Sequence, residues 1–203
     1  MLPELTSSPA TLAVWALAGY LLGSIPFGLL LTRLMGAVDP RGIGSGNIGA
    51  TNVLRTGNKL AALLTLLLDG AKGAVAVLLA RWLAGDDAAQ VAALAAFIGH
   101  CYPVWLRFTG GKGVASFLGI MLALFWPVGL LCCATWLAAV AMSRISSLGA
   151  LVAATLSTGW MLLFGQIEMT ALALAMTLLI FWRHRTNIVR LRAGTEPKVG
   201  RKA

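Results

Sequence analysis

The sequence predicts an all-α, polytopic membrane protein of seven transmembrane helices, with the N-terminus outside and the C-terminus cytoplasmic. Three observations carry this. The 203 residues are 59% hydrophobic and 11% charged, with a mean hydropathy of +0.85, far from the balance of a soluble globular domain. The apolar residues fall in seven runs: Leu12–Leu34, Leu60–Leu83, Ala88–Leu106, Val114–Phe125, Val128–Met142, Leu148–Phe164 and Met169–Trp182. The sixteen Lys and Arg residues, which give a net charge of +9, sit mostly in the short loops between those runs, the pattern that orients membrane proteins with basic loops inside.

The first run is expected to stay as a transmembrane helix, because Met1–Ala10 carries Glu4 and no Lys or Arg and so lacks the charged opening of a signal peptide. The fourth and fifth runs each fall short of the ~20 residues that a helical crossing needs. Pro127 between them permits either one kinked helix or a short helical hairpin over 114–125 and 128–142. Charge decides for the hairpin. Seven crossings put Arg33, Arg41, Arg55 and Lys59, then Arg107 and Lys112, then Arg144, and finally the seven basic residues after the last run on one face. The outer loops keep Asp86, Asp87 and Glu168, and only Arg81 is out of place. Basicity explained by orientation excludes a nucleic-acid partner. Cys101, Cys132 and Cys133 lack metal-ligand spacing and read as packing residues, so neither metal nor cofactor is expected.

Three polar segments then emerge together on the cytoplasmic face. The first, Gly42–Arg55 (GIGSGNIGATNVLR), combines Gly44, Gly46 and Gly49 with the short polar side chains of Ser45, Asn47, Thr51 and Asn52 and the charge of Arg55. Exposed N–H groups in such a turn cradle an anion, although spacing alone leaves a flexible interhelical loop equally open. The second, His100–Ser116, bends at Pro103 and carries Thr109-Gly110-Gly111-Lys112-Gly113 at the start of the fourth helix. There an anion meets both the ammonium of Lys112 and free N–H groups. Gly113 stands where a nucleotide-binding P-loop needs Ser or Thr after its Lys, which argues against a nucleoside triphosphatase. The third, His184–Lys198, places His184 and Asn187 on one helix face among Arg185, Arg190 and Arg192, with Glu196 and Lys198 beyond the helix-stopping Gly194. Inside the second run, Asp69 and Lys72 share a helix face. They are expected to orient the loops from below without touching a substrate, and His100 to be satisfied by backbone.

Together these segments resemble the PlsY family of membrane glycerol-3-phosphate acyltransferases. The matching residues are GSGNIGATNVLR (Gly44–Arg55), GHCYPVWLRFTGGKGVAS (Gly99–Ser116) and HRTNIVRLRAGTEPK (His184–Lys198), with DGAKG (Asp69–Gly73) and GSIPFG (Gly23–Gly28) in support. The resemblance spans the chain in order and implies one transmembrane acyltransferase domain over 1–203 in the bacterial inner membrane, its site on the cytoplasmic side. It implies acyl transfer from a fatty acyl phosphate to the sn-1 hydroxyl of glycerol 3-phosphate, giving 1-acylglycerol 3-phosphate and phosphate. The substrates and the lipid bilayer are then the expected partners, with the oligomeric state open and a monomer allowed. Catalysis is assigned to Ser45, Arg55, Lys112, His184 and Asn187. Substrate and phosphate binding fall to Gly44, Gly46, Asn47, Gly49, Thr51, Asn52, Gly110, Gly111 and Gly113. Support comes from Asp69, Lys72, His100, Arg185, Glu196 and Lys198. Neither His100 nor His184 has Asp four residues on, which argues against the acyl-CoA-dependent acyltransferases with an HxxxxD signature. The rival from another class is a transporter of small organic anions.

Overall fold

Every apolar run folds as helix, and the breaks fall where backbone hydrogen bonding fails. The computed structural model describes residues 3–200, among which there is no strand. The first run splits into α1 (Pro9–Gly23) and α2 (Phe27–Leu34), because Pro26 has no N–H to continue the ladder. A short α3 (Ala50–Val53) precedes α4 (Lys59–Ala84) and α5 (Asp86–Cys101). The third run breaks at Pro103, as the sequence predicts: the helix ends at Cys101, and Arg107 and Phe108 take left-handed backbone with φ of 50° and 60°. Then come α6 (Val114–Leu124), α7 (Trp126–Ser143), α8 (Ser146–Leu163), α9 (Thr170–Arg183) and α10 (Arg185–Arg192).

Five helical stretches are long and apolar enough to cross a membrane: Pro9–Leu34, Lys59–Ala84, Asp86–Leu106, Trp126–Ser143 and Ser146–Leu163. The last run qualifies only together with α10, from which it is bent by 64°. Helix α6 rises only about 16 Å over its length, against a hydrocarbon core of about 30 Å. It folds as a hairpin with α7, as the sequence predicts, with Gly129 against the backbone of Leu122. Its Phe117, Ile120 and Met121 are buried in the bundle core.

Small residues let the helices approach closely. On α1, a Cβ at Gly23 would stand 2.0 Å from the Ala96 carbonyl of α5, a contact that only glycine allows and that membrane helices use in place of a hydrophobic drive. Leu17, Leu67, Leu78, Trp82, Leu137 and Leu178 point outward, where lipid is their solvent. Arg81, the residue out of place by charge, is held by protein. Its guanidinium donates to the Ala123 and Leu124 carbonyls at the end of α6 and pairs with Asp86 at 2.7 Å. Cations favour such a helix C-terminus, so Arg81 caps a helix and its charge is locally matched.

Candidate active site

The first polar segment is folded around one side chain, Asn52. Its Nδ2 donates to the carbonyls of Pro40, Ile43 and Asn47, and its Oδ1 accepts from Ser45 N and Arg55 Nη1. It is 2% exposed. The amide expected to bind substrate is thus fully used in shaping the loop, as buried amides must be. Gly44 has φ of 53°, and a Cβ there would lie 2.8 Å from Arg55. Both its left-handed backbone and the passage of the guanidinium exclude another residue. Asn47 Oδ1 accepts from Gly49 N at 2.8 Å, an Asx turn ahead of α3. Gly28 of α2 makes room for the Ile48 carbonyl, so GSIPFG is the seat of this loop.

The second segment corrects an expectation. Gly110 N donates to Cys101 O and Gly111 N to His100 O, while their carbonyls accept from Arg183. Their amides close the loop onto α5 and do not point at an anion. A Cβ on Gly111 would meet His100 Nε2 at 2.0 Å, so Gly111 is there for packing. Lys112 is what the turn presents. Its Nζ donates to Asn187 Oδ1 at 2.6 Å, and burial lowers its pKa to about 8, opposed by Glu196 and helped by Arg190, Arg183 and Arg55.

The third segment turns at His184, the residue between α9 and α10. His184 is 2% exposed, and its Nδ1 lies 2.8 Å from the Ile180 carbonyl. A carbonyl only accepts, so Nδ1 carries the proton and Nε2 is left as an acceptor. Neutral His184 thus offers the site an acceptor and not a donor. Asn187 Nδ2 donates to Glu196 Oε1, which also accepts from Ser147 Oγ at 2.7 Å, while Glu196 Oε2 accepts from Arg190 Nε at 2.7 Å.

All three segments line one cavity of about 470 Å³. Of the predicted residues it gathers Gly44, Ser45, Asn47, Gly49, Thr51, Asn52, Arg55, Asp69, His100, Lys112, Gly113, His184, Asn187 and Glu196. Gly46, Gly110, Gly111, Lys72, Arg185 and Lys198 are not on its wall; Arg185 stacks on Trp182 instead. Asp69, expected below the site, reaches its wall. It lies 2.8 Å from Lys72 Nζ, whose directed hydrogen bond goes to Ile25 O at 2.8 Å, and 3.7 Å from His100 Nδ1. The His100 ring is not satisfied by backbone: its Nδ1 is buried without a hydrogen bond among the described residues, and the Asp69 carboxylate is the nearest charge to it. Sequence reasoning missed Ser146, which shares a hydrogen bond with Thr51, as well as Ser147 and Arg183. The signal for the two serines was present, since the charge pattern already puts the Arg144 loop on the site's face. Beyond the polar shell, Leu63 and Leu66 of α4, Leu118 of α6, and Trp136 and Val140 of α7 form an apolar lobe.

A bundle of apolar helices holding a cavity lined both by Arg55 and Lys112 and by apolar side chains of α4, α6 and α7 is the form of a membrane enzyme acting on phosphorylated, lipid-tailed molecules. The glycerol-3-phosphate acyltransferase family model matches residues 13–194. A glycerol-3-phosphate acyltransferase of Ruegeria pomeroyi is 66% identical over the full length of both chains, and one of Cereibacter sphaeroides is 61% identical over 100% of this chain and 96% of its own. Two crystal structures of PlsY (YgiH), an integral membrane glycerol 3-phosphate acyltransferase, match the fold. The glycerol 3-phosphate form has a TM-score of 0.88 at 38% identity, covering 93% of this chain and 96% of that one; the lysophosphatidic acid form has 0.86 at 37%, covering 92% and 94%. The chain belongs to the PlsY family of glycerol-3-phosphate acyltransferases.

Proposed function

We propose that this chain transfers a fatty acyl group from an acyl phosphate to the sn-1 hydroxyl of glycerol 3-phosphate, releasing 1-acylglycerol 3-phosphate and phosphate. The observation that carries this is the union, in one cavity, of Arg55 and Lys112, on separate loops, and the further cations Lys59 and Arg190 with an apolar lobe between α4, α6 and α7. The cations suit the phosphates of donor and acceptor, and the lobe suits an acyl chain. The relatives' name and the glycerol 3-phosphate and lysophosphatidic acid forms of PlsY support the acceptor and the product.

The reaction is a direct displacement. The glycerol hydroxyl oxygen attacks the acyl carbonyl carbon, an ester C–O bond forms, and the bond from that carbon to the phosphate oxygen breaks, its electron pair leaving with phosphate. The hydroxyl proton goes to a substrate phosphate oxygen. His184 Nε2 accepts a hydrogen bond from the other, non-reacting hydroxyl of glycerol 3-phosphate and so orients the acceptor, and Arg55 and Lys112 stabilise the charge on the phosphates. Ser45 Oγ has no hydrogen-bond partner among the described residues and so no base to activate it as a nucleophile. With palmitoyl phosphate and glycerol 3-phosphate the purified protein is expected to form lysophosphatidate. Product from palmitoyl-CoA alone, or an acyl group trapped on Ser45, would overturn the donor or the mechanism.

For the topology we keep seven crossings with the N-terminus outside, which puts the cavity on the cytoplasmic side of the bacterial inner membrane. The charge pattern supports it, and with Arg81 paired to Asp86 no basic residue argues against it. In an Asp86→Cys variant the new thiol is expected to react with an impermeant maleimide from the periplasm. Reaction only from the cytoplasm would refute the orientation.

A further inference from the structure

The tail beyond α10 folds back over the cavity. Glu196, Pro197 and Val199 line the wall, and Val199 N donates to the Arg144 carbonyl at 2.7 Å, tying the tail to the α7–α8 junction. Gly194 makes the turn with φ of 69°. Within the tail, the Glu196 side chain is largely enclosed and both carboxylate oxygens are used: Oε1 by Ser147 and Asn187, Oε2 by Arg190.

The consequence lies one bond further on. A carboxylate only accepts, so Asn187 must turn its NH₂ toward Glu196 and its Oδ1 toward Lys112. With the amide reversed, NH₂ would face an ammonium and the Lys112 contact would be lost. Five charged or titratable groups surround Lys112: Arg55 before α4, Arg183 at the end of α9, His184 at the bend, Arg190 of α10 and Glu196 of the tail. Glu196 is the one anion among them.

We propose that Glu196 is a positioning residue: clamped by Ser147 and Arg190, it sets the orientation of the Asn187 amide and through it holds the Lys112 ammonium where a substrate phosphate binds. This rests on the acyltransferase reading of the site, and on neither a lid motion nor a direct contact of Glu196 with substrate. The negative charge at Glu196 also favours protonated Lys112, against the burial that lowers its pKa to about 8.

The test is the affinity for glycerol 3-phosphate, measured by calorimetry on the purified full-length protein from pH 6 to 9, beside turnover with palmitoyl phosphate. Wild-type affinity is expected to fall as pH rises through about 8. In Glu196→Gln, which keeps the shape and loses the charge, the fall is expected to begin at lower pH. Ser147→Ala keeps the charge and loosens the clamp, so it should weaken affinity several-fold without moving that midpoint. A Glu196→Gln midpoint equal to wild type would reduce Glu196 to tail packing and overturn the proposal. If that variant does not fold, unchanged affinity in Ser147→Ala overturns it. Wild-type protein that binds glycerol 3-phosphate but forms no product would instead count against the donor assignment.

Discussion

Lys112→Met is expected to lower kcat/KM for glycerol 3-phosphate by about 10²–10³-fold, the usual cost of removing one preorganised charge from a reacting centre, while leaving the protein folded. The two halves of this expectation have the same cause. Lys112 is enclosed among Arg55, Arg183 and Arg190, with Glu196 as counter-charge, and its pKa falls from 10.5 to about 8. A base whose pKa drops on folding binds fewer protons folded than unfolded between those two values. Its charge therefore opposes folding, fully so below pH 8, and stability rises with pH between about 8 and 10.5 as the proton is lost. Methionine keeps the stem and removes the opposing charge. Activity and stability should thus move in opposite directions across that window, with the alkaline limb of kcat/KM near pH 8. A thermal midpoint that collapses in Lys112→Met, or a kcat/KM within a few-fold of wild type, would take Lys112 out of this role.

How far the sequence could foresee this depended on the range over which each feature is determined. The helices were legible because lipid demands long apolar runs and the chain supplies them. The break at Ser24–Pro26 was not foreseen: Leu12–Leu34 reads as one apolar run, and only Pro26 within GSIPFG marks where it splits. Nor was the 64° bend at His184, since the run passes from apolar to basic with no Pro or Gly to mark it. Within the site, convergence of the three segments followed from charge alone, but the direction of each amide did not. A glycine turn with free N–H groups and one whose N–H groups bind the preceding helix read identically. Gly110 and Gly111 are the second kind because Cys101 and His100 end α5 with carbonyls to be met. Asn52 could not be told from a ligand-binding amide for the same reason. Ser147, 49 residues from Glu196, shows the limit: charge places its loop on the site's face, but the partner it meets there leaves no local pattern.

Lys72→Met is the second large expected effect, and it falls on stability. Asp69 and Lys72 are both about 3% exposed as side chains, 2.8 Å apart. The ammonium also donates to the Ile25 carbonyl, freed where Pro26 interrupts the first run, and lies 5.9 Å from the centre of the Phe27 ring. One side chain thus joins α4 to the α1–α2 break, on which the first polar loop is seated. Removing it leaves the Asp69 carboxylate buried with no cation beside it and His100 Nδ1 3.7 Å away, beyond hydrogen-bond distance. An orphaned buried charge costs about 3–5 kcal/mol, whereas replacing both members of a buried pair is often near neutral. The thermal midpoint of Lys72→Met in detergent should therefore fall steeply, and Asp69→Asn/Lys72→Met should recover most of the loss. The double variant keeps the residue-69 main-chain carbonyl that accepts from Ser116 Oγ at 2.8 Å, so the α4–α6 contact survives and the difference between the two variants reports the orphaned Asp69 charge. A double variant no more stable than Lys72→Met would mean that the Ile25 and Phe27 contacts, and not the ion pair, hold this layer together.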